Sequence, residues 1–232
     1  FVLSLAIFGI QSGTGVLVAQ YYGKGRLDAI NRIMGMGYYV SIGLTAVVAL
    51  LACLFPMQMM RIVTNNPDLW EPGAEYARIV GFSYVCMSFS GVYIAVQRSM
   101  ENPKLGAILL TVSGALNILL NYMLIFGKLG APAMGCAGAA VATLISRAFE
   151  VVVILGCMLW SKRLPINPRL MAKPGKLIAG DFMKYSLPVV LNEGMWSLAM
   201  SLFSIIMELH ASTTIKARST TIIIFVTFST PP

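Results

Sequence analysis

Six stretches of this chain run for about the length of a bilayer crossing with few or no charges. Phe1 to Tyr21 and Ile33 to Met60 carry none. Ile79 to Gln97 lies between Arg78 and Arg98, and Leu105 to Gly127 between Lys104 and Lys128. Gly135 to Trp160 is apolar except for Arg147 and Glu150, and Tyr185 to Met207 except for Glu193. A spanning helix needs about 20 predominantly apolar residues. Inside hydrocarbon every backbone N–H and C=O must find its partner within the chain. Unbroken apolar runs with Gly and Ala scattered through them read as helices, because barrel strands would alternate polar and apolar residues. The expectation is an all-α membrane protein with six candidate transmembrane helices.

Composition agrees. The chain is 57% apolar and 11% charged, whereas soluble domains hold roughly 45–50% apolar and about 25% charged residues. Its mean hydropathy is +0.78. A globule of 232 residues has no core large enough for so many apolar side chains, so the remainder must face lipid. A disordered chain, a disulfide scaffold and an ordinary cytosolic enzyme are excluded. Cys53, Cys86, Cys136 and Cys157 sit singly in or beside apolar stretches, without metal-ligand or redox spacing.

The charge is 17 Lys+Arg against 9 Asp+Glu, formally +8. In a soluble protein that excess would suggest nucleic acid; here the cations collect in alternate connections, and no nucleic-acid partner is expected. One set of loops holds Lys24, Arg26, Arg32, Arg98, Lys104, Lys162, Arg163, Arg169, Lys173 and Lys176, and the other holds Arg61 and Lys128. Cytoplasmic loops concentrate Lys and Arg. The loops near Gly23 and Glu101 and the 161–180 segment are therefore expected in the cytoplasm, with the first helix running inward.

Turn punctuation falls between the apolar runs: Gly23-Lys24-Gly25-Arg26, Asn65-Asn66-Pro67 with Glu71-Pro72-Gly73, Glu101-Asn102-Pro103, and Gly127 to Gly135 with Pro132. The polar stretch 161–180, with Pro165, Pro168 and Pro174, suits a linker between two units. Gly9-x-x-x-Gly13 and Gly138-x-x-x-Ala142 mark places where helices approach closely. Phe1 is not an initiator methionine, and 210–232 turns to Ser, Thr and Ile off the pattern. The expectation is a fragment with an aberrant end.

Motifs for catalysis are missing. There is no phosphate-binding G-x-x-x-x-G-K-[ST], Gly13-Thr14-Gly15 lacks the third glycine of a dinucleotide turn, and one histidine (His210) cannot make H-E-x-x-H. The chain is read as a non-enzyme without a cofactor. Its informative residues are polar ones at membrane depth, where they are costly. Glu193 follows Asn192 and lies five residues beyond Pro188, whose ring leaves a carbonyl unpaired and kinks a helix. Such breaks beside an intramembrane acid suit an ion-coupling site, although a protonated carboxyl hydrogen-bonded to a neighbouring helix fits the same pattern. Asn117 and Asn121 are four apart and share a helix face. Their amide oxygens could ligate a hard cation or bond to a neighbouring helix. Arg147 and Glu150, three apart, can neutralise each other.

A set of segments resembles the multidrug and toxic compound extrusion (MATE) transporters. Gly13-Thr14-Gly15-Val16-Leu17-Val18-Ala19-Gln20 with Gly23-Lys24-Gly25 is similar to the end of their second helix. Glu101-Asn102-Pro103-Lys104 resembles a cytoplasmic-side junction. Leu116-Asn117-Ile118-Leu119-Leu120-Asn121-Tyr122 through Gly127, and then Gly135 to Thr143, resemble helices five and six. Pro188-Val189-Val190-Leu191-Asn192-Glu193-Gly194 resembles helix seven. The resemblance covers about residues 1 to 207 in the family's order.

It implies helices two to seven of a twelve-helix, two-lobe antiporter. Residues 1–160 would be first-lobe helices two to six, 161–180 the cytoplasmic interlobe linker, 181–209 the first helix of the second lobe, and 210–232 an off-pattern tail. The implied function is export of cationic or amphipathic small molecules against Na⁺ or H⁺, by a multi-pass protein of the cell membrane, monomeric when full length. The alternative within the wider superfamily is a lipid-linked oligosaccharide flippase. Asn117, Asn121 and Thr143 match positions of the family's first-lobe cation site, where Na⁺ would be the metal held, and Glu193 matches its helix-seven acid. Asn121 stands where several members carry Asp, which removes a charge. No substrate-binding residues are assigned.

Overall fold

The structure, a computed structural model, describes residues 2–63, 70–128, 132–160, 167–172 and 176–210. In chain order the helices are α1 (Val2–Tyr22), α2 (Leu27–Leu54), α3 (Pro56–Val63), α4 (Trp70–Ser99), α5 (Pro103–Phe126), α6 (Gly135–Trp160), α7 (Pro168–Ala172) and α8 (Lys176–His210). No strand occurs among the described residues.

Five helices (α1, α2, α4, α5 and α6) are long and apolar enough to cross a membrane among the described residues. The sequence reading had six. The sixth stretch, Tyr185 to Met207, lies in α8, several of whose side chains are outside the described residues. Two boundaries also move. The expected Ile33–Met60 span breaks at Phe55, because Pro56 cannot continue the hydrogen-bond ladder and instead opens α3. Glu71-Pro72-Gly73, expected in a turn, forms the first turn of α4, where the missing proline N–H has no helical partner to lose. Asn65-Asn66-Pro67 and the tail 211–232 lie outside the described residues.

The other turns follow their local chemistry. Gly25 takes φ 66° between α1 and α2, a conformation that costs glycine little. Gly127 closes α5 in the left-handed region, its N–H donating to Met123 O. Between α4 and α5, Asn102 N–H donates to Gln97 O at 3.0 Å, and Pro103 starts the next helix.

The core gathers around α4, which packs on α1, α2, α3, α5 and α6. Leu17, Val18, Ile30, Ile33, Met34, Val92, Tyr93 and Val96 form its centre, with Ile154 of α6 and Phe182 of α8 joining. Tyr38 stacks on Phe89 with ring centroids 4.8 Å apart. Three buried hydroxyls return to their own helices: Thr14 Oγ1 donates to Ile10 O at 2.7 Å, Thr45 to Ser41 O at 2.9 Å and Ser146 to Ala142 O at 2.8 Å. That satisfies them without a cross-helix partner. The outer surface is apolar, including Val47, Leu50, Leu54, Ile118, Val152, Leu159 and Trp160. A belt of that kind is stable only against lipid or further helices. The chain is a multi-pass membrane protein.

Small residues stand where helices meet. On α1, a Cβ at Gly9 would lie 2.8 Å from Val190 Cγ2, and one at Gly13 would lie 2.6 Å from Ser186 Cβ, both on α8. On α6, a Cβ at Gly138 would lie 2.6 Å from Leu124 O of α5. Both small-residue spacings in the sequence therefore serve close packing.

Candidate functional site

Two contacts set the register of α5 and α6. Ser113 Oγ donates to Ser146 O at 3.4 Å, and at the other end Met134 N–H donates to Leu124 O at 2.9 Å. The helices run antiparallel, so Thr143 of α6 falls at the level of Asn117 of α5, between these contacts. Asn121 lies one turn further along α5 on the same face.

Asn121 Nδ2 donates to Asn117 Oδ1 at 2.9 Å, while Asn121 Oδ1 is buried with no hydrogen-bond partner. Thr143 Oγ1 donates to Ala139 O at 2.9 Å. All three residues are half-buried. A carbonyl oxygen has two lone pairs and a hydroxyl that donates can still accept. Asn117 and Asn121 thus offer neutral oxygens on α5, one of them unused, with the Thr143 hydroxyl at the same level on α6, and none of these three residues brings a negative charge.

One turn beyond Thr143 on α6, Arg147 Nη1 contacts both Glu150 oxygens, at 2.8 and 3.0 Å. The Glu150 side chain is 1% exposed and that of Arg147 32%. The pair continues the polar face of Thr143, a continuity the sequence reading missed, although the spacing 143, 147, 150 carries it.

Glu193 is not brought to this seam by the packing. It lies in α8, five residues past Pro188, and its side chain is outside the described residues. α8 packs on α1 and α2, whereas α5 packs on α4 and α6. Two open grooves of about 520 and 530 Å³ lie elsewhere: one between α4, α5 and α6 around Tyr93, Gln97 and Trp160, the other between α2 and α7. Neither is lined by Asn117, Asn121 or Thr143. The four cysteines are free, Cys136 exposed and the others half-buried.

Comparison with known proteins gives one answer at three levels. The MatE family model matches residues 1–123. The probable multidrug resistance protein YoeA of Bacillus subtilis is 28% identical over 155 residues, covering 67% of this chain and 34% of YoeA. The probable multidrug resistance protein NorM of Thermotoga maritima is 30% identical over 150 residues, covering 63% of this chain and 32% of NorM. Among solved structures, a multidrug resistance MATE family transporter of the MOP superfamily in an inward-facing conformation aligns with TM-score 0.74 at 22% identity, over 88% of this chain and 45% of that one. A MATE structure in the bent conformation aligns with TM-score 0.76 at 22% identity, over 89% and 45%. At that identity the structural likeness carries the fold alone. The chain spans about a third of the length of these curated relatives.

Proposed function

The chain belongs to the MatE family, and from that premise we propose that it supplies helices of a cation-coupled antiporter that exports cationic or amphipathic small molecules. The observation that carries this reading is the family match together with relatives named as multidrug resistance proteins. The relatives are about three times as long as the part matched, so the transport cycle belongs to a longer protein in which a second lobe faces this one. Inverted or repeated halves place substrate and ion sites between them, and rocking alternates the access.

The coupling ion is Na⁺ or H⁺, and two places in the chain suit it. Asn117, Asn121 and Thr143 offer oxygens on the α5–α6 seam, and the buried unpartnered Asn121 Oδ1 is the one in need of a partner. Glu193 is the lone acid in the apolar part of α8. An ion neutralising Glu193 would weaken its hold on a cationic compound, and the compound would weaken binding of the ion by the same factor, which is the linkage antiport needs. The loops near Gly23 and Glu101 and the 161–180 segment face the cytoplasm in this scheme, because they carry the cations.

A lipid-linked oligosaccharide flippase needs free cations in its cavity to hold a pyrophosphate. Here Arg147 is engaged by Glu150, which favours the exporter. The test is dye efflux from vesicles containing the complete transporter under an imposed Na⁺ or pH gradient. Gradient-driven efflux supports the reading; none with either gradient refutes it.

A further inference from the structure

Asn31, Gly35 and Tyr39 are four residues apart along α2 and form one stripe of the helix. Each meets the backbone of the 167–172 segment. The Asn31 side chain is buried, and its Nδ2 donates to Leu27 O of its own helix at 3.2 Å. That orients Oδ1 outward from α2, where it accepts the Asn167 N–H at 3.3 Å. One turn on, Gly35 leaves room for the passing chain: a Cβ there would lie 2.7 Å from Met171 Cα. A further turn on, Tyr39 Oη donates to Ala172 O at 3.4 Å. Asn167 Oδ1 accepts from Arg169 N–H at 3.2 Å, capping α7 ahead of Pro168.

A helix of this length does not hold in isolation, because nucleation costs more than one turn returns. α7 exists because α2 holds it. The contacts reach main-chain atoms just before its start and at its last two residues, so they ask little of α7's side chains and much of α2: an amide at position 31 and no side chain at 35.

We propose that α7 is a fixed part of the first lobe, locked to α2 through its own backbone, and that it stays docked while the lobes rock. α7 is then carried with the first-lobe helices. This rests on the transporter reading above, and the test separates the two. In the complete transporter, with its native cysteines replaced by serine, Asn31→Cys is combined with Asn167→Cys and the vesicles are oxidised. The expected result is a disulfide that forms with or without the ion gradient and leaves dye efflux at the rate of the reduced protein. In a second arm, Gly35→Leu should raise trypsin cleavage after Arg169 about tenfold, since cleavage tracks the undocked population. Asn31→Ala, which adds no bulk, should move it in the same direction. A disulfide that fails to form, one that stops efflux, or cleavage unchanged in both variants overturns the docking. Absence of efflux from the reduced protein would refute the transporter reading instead, while disulfide yield and cleavage would still judge the docking.

Discussion

Glu150 is sealed inside the helix bundle, and its carboxylate is held by a single guanidinium nitrogen of Arg147, at 2.8 and 3.0 Å from its two oxygens. Removing one member of a buried pair leaves the other charge without compensation, at a cost of about 3–5 kcal/mol. Arg147 is partly open, which places the expected loss at the lower end. Arg147→Ala should therefore lower the thermal midpoint of the detergent-solubilised transporter strongly. Arg147→Met combined with Glu150→Met should recover most of the loss. Equal stability of Arg147→Ala and the parent would show that the pair contributes nothing.

Helix contact through missing side chains predicts an asymmetry among glycines. Gly13 of α1 faces Ser186 of α8, whereas nothing approaches a Cβ at Gly114 of α5 within 4 Å. Overpacking costs typically about 1–3 kcal/mol. Gly13→Leu should destabilise the protein or part α1 from α8, while Gly114→Leu should leave the melting curve unchanged. Similar melting shifts for the two variants would contradict the close α1–α8 packing.

The cation bias between alternate loops sets an expected sidedness. The cation-rich loops predict that a single cysteine replacing Lys173 is labelled only from the cytoplasmic side, and one replacing Asn66 only from outside. Membrane-impermeant maleimide on intact cells and on inverted vesicles reads both positions. The reverse pattern would overturn the orientation.

The spans were legible because charge is scarce enough to serve as punctuation, and α6 falls on its expected bounds, Gly135–Trp160. Where reading faltered, one residue type had two uses. Proline ends a helix at Phe55-Pro56 but also starts one, so Pro72 sits inside α4 and Pro168 at the head of α7. Helical spacing places Asn117 and Asn121 on one face, but it did not reveal that they bond to each other within α5 and not to a neighbouring helix. The docking of α7 on α2 was not legible, because Asn31 and Tyr39 contact main-chain atoms, and a backbone partner leaves no side-chain signature.

The seam between α5 and α6 predicts a modest role for Asn121. Polar contacts within membrane proteins are worth on the order of 0.6 kcal/mol, about a threefold change in an equilibrium. Asn121→Ala should slow gradient-driven dye efflux to roughly that extent. Asn121→Asp, which restores a charge beside Asn117, should increase its dependence on Na⁺. Efflux that is equally Na⁺-dependent in Asn121→Asp and the parent would remove this seam from ion coupling.

Glu193 should matter far more. An ionised carboxylate at mid-bilayer costs roughly 2.5–3.5 kcal/mol on insertion scales, so a chain that keeps one in an apolar stretch needs a proton, a cation or a cavity beside it. Glu150 is already neutralised by Arg147, and Asn117, Asn121 and Thr143 bring no charge, so in the proposed cycle Glu193 is the acid of this chain through which an ion and a cationic compound would compete. Pro188, five residues earlier in α8, frees a carbonyl and gives the helix a place to bend as that charge is filled or emptied. Glu193→Gln keeps the shape and removes the charge. In the complete transporter it should abolish efflux driven by an imposed Na⁺ or pH gradient while leaving the protein folded and inserted, and Glu193→Asp should retain part of the activity. If Glu193→Gln transports at the parental rate while Asn121→Ala does not transport at all, the coupling lies on the α5–α6 seam and not on α8.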